Sequence, residues 1–74
     1  MKVGKNMKNK IGYVKDYDGK IGNIVTEDND IYLLLGNDII DNITLTDGDL
    51  VSFVAEEFQV FDTKTKIARF IKKS

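Results

Sequence analysis

Tyrosine and lysine are the residue types in this sequence whose spacing suggests contact with a ligand. The three tyrosines, Tyr13, Tyr17 and Tyr32, fall in the first half of the chain and alternate with Lys15 and Lys20. Aromatic rings stack on unpaired bases and lysine ammonium groups contact phosphates, so this interleaving is typical of single-stranded nucleic-acid binding. Tyrosine is also common in strands because it fits a half-buried pleated surface, so the pattern leaves a structural role open.

The sequence offers no candidate residues for catalysis or for metal binding. The sequence contains no His and no Cys, which removes the commonest proton shuttle at neutral pH, the commonest metal ligand and any thiolate site. Asp28 with Asp30 has the spacing of some calcium loops, and so has Asp47 with Asp49. Both pairs lack the remaining ligands and the terminal bidentate Glu, so they predict turns. No nucleophile with an adjacent base can be identified, and we expect no enzyme activity, no cofactor and no metal site.

The charges of the chain are segregated although they nearly cancel. Lys and Arg number 11 and Asp and Glu 12, but no Lys or Arg occurs between residues 21 and 63, where ten of the acids lie. If the two basic ends fold to the same side, they form a patch that attracts phosphates. The candidate rim residues are Lys10, Lys15, Lys20, Arg69 and Lys72. Scattered solvated lysines would explain the same composition.

The length of 74 residues allows one domain. We expect residues 1–8 to form a flexible basic tail and residues 9–74 a single domain. Without disulfides, a core this small supplies only about 3 to 5 kcal/mol, which predicts marginal stability or self-association. The longest apolar run, residues 31–35, is far shorter than the ~20 residues of a membrane helix. We therefore expect a cytoplasmic protein with no membrane partner.

The secondary structure is predicted to be all-β. Short runs rich in Ile, Val, Tyr, Phe and Thr are separated by Gly, Asn and Asp at intervals of roughly ten residues. We expect strands at residues 9–16, 20–26, 31–35, 50–57 and 66–72, with a short helical turn around residues 38–41. Five strands in so short a chain should close into an antiparallel barrel, since an open sheet would leave long unpaired edges.

The first hairpin can be aligned in two ways. Asp18 and Gly19 alone suggest a two-residue turn, which would place Val14 on the face opposite to Ile24. A three-residue loop of residues 17–19, with Gly19 in the left-handed conformation, instead sets Val14 against Gly22. We favour the second alignment because it turns Val14 and Ile24 inward together.

The second hairpin then assigns the remaining strand to its two faces. A four-residue loop, residues 27–30, would pair Ile24 with Leu33 and Gly22 with Leu35. The predicted inner layer is Val14, Ile24, Ile31, Leu33 and Leu35. The predicted outer face is Tyr13, Lys15, Ile21, Asn23, Val25, Tyr32 and Leu34, with Tyr17 on its rim. The phenylalanines Phe53, Phe58, Phe61 and Phe70 are expected mostly in or beside the core.

With this strand pattern, the chain resembles the cold-shock domain, a five-stranded barrel of the oligonucleotide- and oligosaccharide-binding kind. Residues 12–15 look like the opening Gly-Lys-Val-Lys segment of that family, and residues 20–24 and 31–35 stand where the family has its two ribonucleoprotein motifs. Further along the chain, Leu45, Gly48, Val51 and Phe53 follow the family's spacing, and Ala68 matches a small residue of the fifth strand. The resemblance covers about residues 11–71.

The resemblance implies that outward aromatic side chains stack on bases and that nearby lysines meet phosphates. Tyr32 takes a stacking position, Tyr17 matches the aromatic that closes the first strand, and Lys15 matches a lysine of the opening segment. The chain also departs from the family, because Asp16, Ile21, Asn23 and Leu34 replace a Trp, two Phe and a His.

Two functional hypotheses follow. The first is weak, sequence-tolerant binding of single-stranded RNA or DNA through Tyr13, Lys15, Tyr17, Lys20, Asn23 and Tyr32. The alternative is a protein-interaction or homodimerisation module that uses the same face as an apolar surface around Ile21, Val25 and Leu34, because contiguous exposed apolar residues usually mark an interface.

Overall fold

Five strands form a closed barrel in the computed structural model, which describes residues 6–74, with side chains from Lys8 onward. The strands are β1 (Asn6–Lys15), β2 (Ile21–Val25), β3 (Ile31–Leu35), β4 (Leu50–Val60) and β5 (Thr63–Lys73). Their order around the barrel is β1-β2-β3-β5-β4. The predicted all-β five-stranded barrel is confirmed, with one correction of orientation: β3 and β5 pair in parallel, at Leu33 and Ile67.

The strand positions agree with the predictions to within a few residues. The largest differences are at β1, which begins at Asn6, and at the β4–β5 hairpin, whose strands continue to Val60 and from Thr63. Residues 6–8 thus belong to a strand and not to the predicted tail, whose residues 1–5 lie outside the described part of the chain. Two short 3-10 turns, Gly36–Asp38 and Ile40–Asn42, follow β3. Among the described residues there is no helix with the length and apolar character needed to cross a membrane.

The first hairpin has the predicted inner and outer faces but a longer loop. Val14 lies opposite Ile24, and not opposite Gly22 as predicted. The loop is longer because the Asp18 side chain accepts hydrogen bonds from the backbone N–H groups of Lys20 and Ile21, at 2.8 and 2.9 Å, which holds the chain in a wider turn. A shift of two residues keeps every side chain on its face, so Val14 and Ile24 both point inward, as predicted.

The second hairpin differs from its prediction by one residue, and this reverses the two faces of β3. Ile24 pairs with Tyr32, because the turn contains residues 26–30 and not 27–30. Backbone bonds close this turn at Thr26, whose N–H donates to Asp30 and whose carbonyl accepts from Asn29. Asn29 adopts a left-handed conformation, with φ 65, which asparagine tolerates better than most residues.

As a consequence, none of the three β3 residues predicted for the inner layer lies in the core, and the other two β3 residues take their place. Tyr32 and Leu34 are buried, whereas Ile31, Leu33 and Leu35 point outward. Among the residues whose side chains are described, the buried apolar ones are Val14, Ile24, Tyr32, Leu34, Leu45, Val51, Phe53, Ala55, Ala68 and Ile71.

The long β4–β5 hairpin carries two exposed aromatic side chains. Phe61 is at its tip and is 94% exposed, and Phe70 is 60% exposed. Phe70 has a φ of 50 at the point where the β4–β5 register shifts, so a bulge turns its ring to solvent. The expectation that the phenylalanines lie mostly in or beside the core therefore holds for Phe53 and is wrong for these two, while Phe58 is half-buried.

Candidate functional site

An apolar surface lies on the outside of β1, β2 and β3 and at the start of β4, where outward side chains form cross-strand rows. We call it the outer face and define it as Ile11, Tyr13, Lys15, Ile21, Asn23, Val25, Ile31, Leu33, Leu35 and Leu50. Tyr13 pairs with Val25 on one side and with Leu50 on the other, and Val25 pairs with Ile31. These four residues form one apolar row across β4, β1, β2 and β3.

Charge is almost absent from the outer face. Lys15 is the one charged member of the ten residues, and its cross-strand neighbours are Asn23 and then Leu33. No carboxylate of the described residues forms an ion pair with Lys15. The face therefore combines an aliphatic surface, one exposed tyrosine and one lysine ammonium group that is free to meet an anion.

Three of the predicted nucleic-acid-binding residues share this face. Tyr13 is 52% exposed, Lys15 is exposed and Asn23 is half-buried. Tyr13 and Lys15 alternate along β1, so both point outward, and the pairing of Lys15 with Asn23 joins the third residue to them. Ile21 and Val25, from the alternative set, also lie here.

Tyr32 and Leu34 do not belong to the outer face, which corrects both site predictions. Each side chain is completely buried, because the five-residue turn places both of them inside the barrel. The Tyr32 ring packs against Phe53 with 5.2 Å between centroids, and its hydroxyl donates to Glu57 at 3.0 Å. Burial, and secondarily this hydrogen bond, raise the pKa of Tyr32 to about 12. The same hydrogen bond lowers the pKa of Glu57.

Tyr17 and Lys20 lie beyond the edge of the outer face, at the barrel end formed by residues 16–20 and 36–49, where Leu35 is the outer-face residue that they adjoin. They line an open groove of about 810 Å³. The loop that carries them is tied down by a hydrogen bond from the Tyr17 N–H to the Asp47 side chain, 3.0 Å long. The half-buried Tyr17 ring packs against the core, so little of it is available for stacking. The predicted set of six residues is thus divided among the outer face, this groove and the core.

Arg69 also lines the groove, but its charge is already paired. It contacts Asp38 at 3.2 Å and Glu56 at 3.3 Å, and the hydrogen bond to Asp38 is the main reason why the pKa of Arg69 is raised. This ion pair links β5 to the 3-10 turn after β3 and to β4. Arg69 therefore stabilises the connection and does not form part of a phosphate-facing rim with Lys15.

Metal-binding clusters are not found in the described part of the chain. Within residues 6–74, no group of three or more His, Cys, Asp or Glu side chains is placed to hold a metal ion. Three loop carboxylates, those of Asp18, Asp47 and Asp49, accept hydrogen bonds from backbone N–H groups. Asp49 accepts from the N–H of Thr46 at 2.9 Å, and this bond is the main reason why the pKa of Asp49 is lowered.

Sequence reasoning missed five outer-face residues: Ile11, Ile31, Leu33, Leu35 and Leu50. Three of them are the β3 residues that the one-residue slip reversed. The Thr26 side chain was a signal for the longer turn, since threonine oxygens bond to nearby backbone N–H groups and Thr26 does so with Asp30 at 3.3 Å. Comparisons with protein-family models, with curated proteins and with solved structures found no match for this chain.

Proposed function

We propose that this chain is a binding module without catalytic function that self-associates through its outer face. The observation that carries the proposal is the row of Leu50, Tyr13, Val25 and Ile31, in which Tyr13 and Ile31 are 52% and 57% exposed. A contiguous apolar surface on a small domain is typical of an interface between proteins.

A second copy of the chain is the occupant that the surface favours. The outward faces of strands can pack on each other, and a two-fold contact uses one self-complementary patch twice. With a single charge among its ten residues, the outer face avoids the cost of burying many ammonium or carboxylate groups. Association would also add stability to a barrel whose own core is small.

Binding of single-stranded nucleic acid is the second candidate, and one observation favours it. Tyr13 stands next to Lys15, which has no carboxylate partner among the described residues, with Asn23 as its neighbour. One stacked ring is worth about 1 to 3 kcal/mol, so this binding would be weak without Tyr32. The likeness to cold-shock domains supports this candidate at the level of the fold.

Sedimentation equilibrium over a range of concentrations at two salt concentrations tests the first candidate. We expect a dimer that persists at high salt, because apolar contacts are not screened by salt. The Ile31→Lys substitution should raise the dissociation constant of this dimer at least tenfold. Val60→Lys is the matched control, since Val60 is a β-branched strand residue with 53% exposure outside the outer face. A monomer at all concentrations, or equal effects of both substitutions, contradicts self-association.

Fluorescence anisotropy with labelled oligo-dT and oligo-U tests the second candidate. Binding that weakens with salt and is lost in Tyr13→Ala supports nucleic-acid binding by the outer face. Tyr17→Ala is not a suitable control because that ring packs against the core. If neither oligonucleotide binds, the second candidate is wrong, whatever the result of the sedimentation experiment.

A further inference from the structure

The lower end of the barrel, near the turn of residues 26–30, is built from three strands that are longer than their neighbours. β1, β4 and β5 have 10 or 11 residues, whereas β2 and β3 have 5 each. The long strands therefore continue past the β2–β3 turn, and their inward-pointing side chains there line an open end. We call this region the lower mouth and define its charged residues as Lys8, Lys10, Lys64, Lys66, Asp30 and Glu57.

The strand register explains why these side chains meet. Lys8 pairs with Ala55, which pairs with Ala68, and Glu57 pairs with Lys66. Ala55 and Ala68 are buried and point into the barrel, and alternation along each strand gives Lys8, Glu57 and Lys66 the same inward direction. A concavity of about 150 Å³ lies here, lined by Lys8, Lys10, Glu57 and the small Ala55.

Positive charge exceeds negative charge at the lower mouth, with four lysines against two carboxylates. Lys66 contacts Asp30 at 3.3 Å and Lys64 contacts Glu57 at 3.6 Å, so each carboxylate has its own lysine. Lys8 and Lys10 form no ion pair with any described carboxylate. Two uncompensated ammonium groups thus face the same concavity.

The Tyr32 ring attracts two lysines of the lower mouth. The Lys10 ammonium lies 6.0 Å and the Lys66 ammonium 5.7 Å from the centre of this ring, whose π-system attracts cations. The Glu57 carboxylate accepts from the Tyr32 hydroxyl and contacts Lys64, so it is already engaged by two donors. The negative charge of Glu57 is therefore partly neutralised, which lowers its repulsion of an entering anion.

We propose that the lower mouth is a second binding site, which takes the phosphate groups of an anionic ligand through Lys8 and Lys10. Residues two apart on one strand face are about 6.8 Å apart, so the two flexible side chains can close on one phosphate or on two neighbouring ones. The volume of about 150 Å³ equals that of about five water molecules, enough for one tetrahedral phosphate group. The site is separate from the outer face and goes beyond the proposed self-association.

Calorimetric titration with inorganic tripolyphosphate, and separately with oligo-dT, tests this site at two salt concentrations. We expect affinity for tripolyphosphate to fall with salt and to decrease at least tenfold in the double variant Lys8→Gln/Lys10→Gln. The matched control is Lys72→Gln/Lys73→Gln, which removes the same charge at the opposite end and should change affinity less than threefold. Circular dichroism of both double variants checks that the barrel is retained.

The two probes separate the possible sources of the phosphate. If oligo-dT binding is lost together with tripolyphosphate binding in Lys8→Gln/Lys10→Gln, the ligand is a nucleic-acid backbone, and if only tripolyphosphate binds, it is a compact phosphate compound. Amide shifts at Ala55 and Glu57, without shifts at Tyr13 and Val25, locate the site by NMR. Equal losses in the two double variants, or no binding of either probe at millimolar concentration, overturn the proposal. Tyr13→Ala, which changes no charge, should leave tripolyphosphate binding unchanged, so this test and those of the outer face can fail independently.

Discussion

At the scale of single residues, Tyr32 has a different role from the one its type and position suggest. Its ring is completely buried against Phe53, and its hydroxyl bonds to Glu57. A buried tyrosine needs a partner for its hydroxyl, and Glu57 provides one at the barrel end, where the carboxylate still reaches solvent. Tyr32 therefore connects the apolar core to the lysines of the lower mouth.

Tyr32→Phe should lower the free energy of unfolding at neutral pH and remove one tyrosine ionisation at alkaline pH. The substitution deletes a hydrogen bond to a charged group, which is worth about 1.5 to 3 kcal/mol, and the expected loss in the free energy of unfolding by urea lies at the lower end of that range. Because the pKa of Tyr32 is raised to about 12 from an ordinary 10.0, its neutral form is favoured in the folded state.

The sign of the pH dependence follows from this raised pKa. An unfolded tyrosine ionises near pH 10, so the stabilising contribution of Tyr32 is complete below pH 10 and is lost as the pH rises toward 12. In a spectrophotometric titration, a tyrosinate phase near pH 12 should appear in the wild type and be absent in Tyr32→Phe. Persistence of that phase in the variant would show that another tyrosine is responsible.

At the scale of elements, two loops determine which side chains point outward. The Asp18 side chain widens the first loop by two residues, which leaves the faces unchanged. The turn closed by Thr26 and Asp30 adds one residue, which reverses β3. Since side chains alternate with a period of two, only the second change moves residues between the core and the surface.

Substitutions at Asn29 should report on the turn that sets the β3 register. Asn29 has a φ of 65, and alanine tolerates this left-handed conformation less well than asparagine, whose polar side chain can bond locally. Asn29→Ala should therefore reduce the free energy of unfolding by about 1 kcal/mol, whereas Asn29→Gly should leave it nearly unchanged because glycine has no Cβ. Urea denaturation of the two variants measures the difference. Equal stability of Asn29→Ala and Asn29→Gly would mean that Asn29 is not left-handed in solution and that the register is different.

At the scale of the whole molecule, the barrel is held together by contacts between distant parts of the chain. β1 pairs with β4 from Asn6 opposite Glu57 to Tyr13 opposite Leu50, and β3 meets β5 in parallel. Such pairings bring together segments that are far apart in sequence, so the chain must lose much of its entropy before the contacts form. A small barrel of this kind is expected to fold in milliseconds to seconds.

Refolding should show a single phase without the slow step that proline usually causes. The sequence contains no proline, so no cis and trans X-Pro isomers can accumulate in the unfolded state. Stopped-flow refolding followed by tyrosine fluorescence measures this, because the chain has no Trp. In double-jump experiments, the amplitude of refolding should not depend on the time spent unfolded. A phase of tens of seconds would instead indicate a slow assembly step, which raising the protein concentration would accelerate.

The strands, their closure into a five-stranded barrel and the inner and outer faces of β1 and β2 could be predicted from the sequence. The strands and faces follow from local alternation of apolar and polar residues, and the closure follows from the cost of leaving sheet edges unpaired. Tyr13, Lys15 and Asn23 could be placed on one face for the same reason.

Which side chains of β3 point into the barrel, and therefore where Tyr32 and Leu34 lie, became clear from the tertiary structure alone. The run of residues 31–35 is apolar at every position, so its pattern does not favour one face over the other. The choice depended on one additional residue in the turn, held by bonds between Thr26 and Asp30 that form only when the two strands meet. The lower mouth was equally hidden from the sequence, because its lysines come from both ends of the chain and meet only where the three long strands pair.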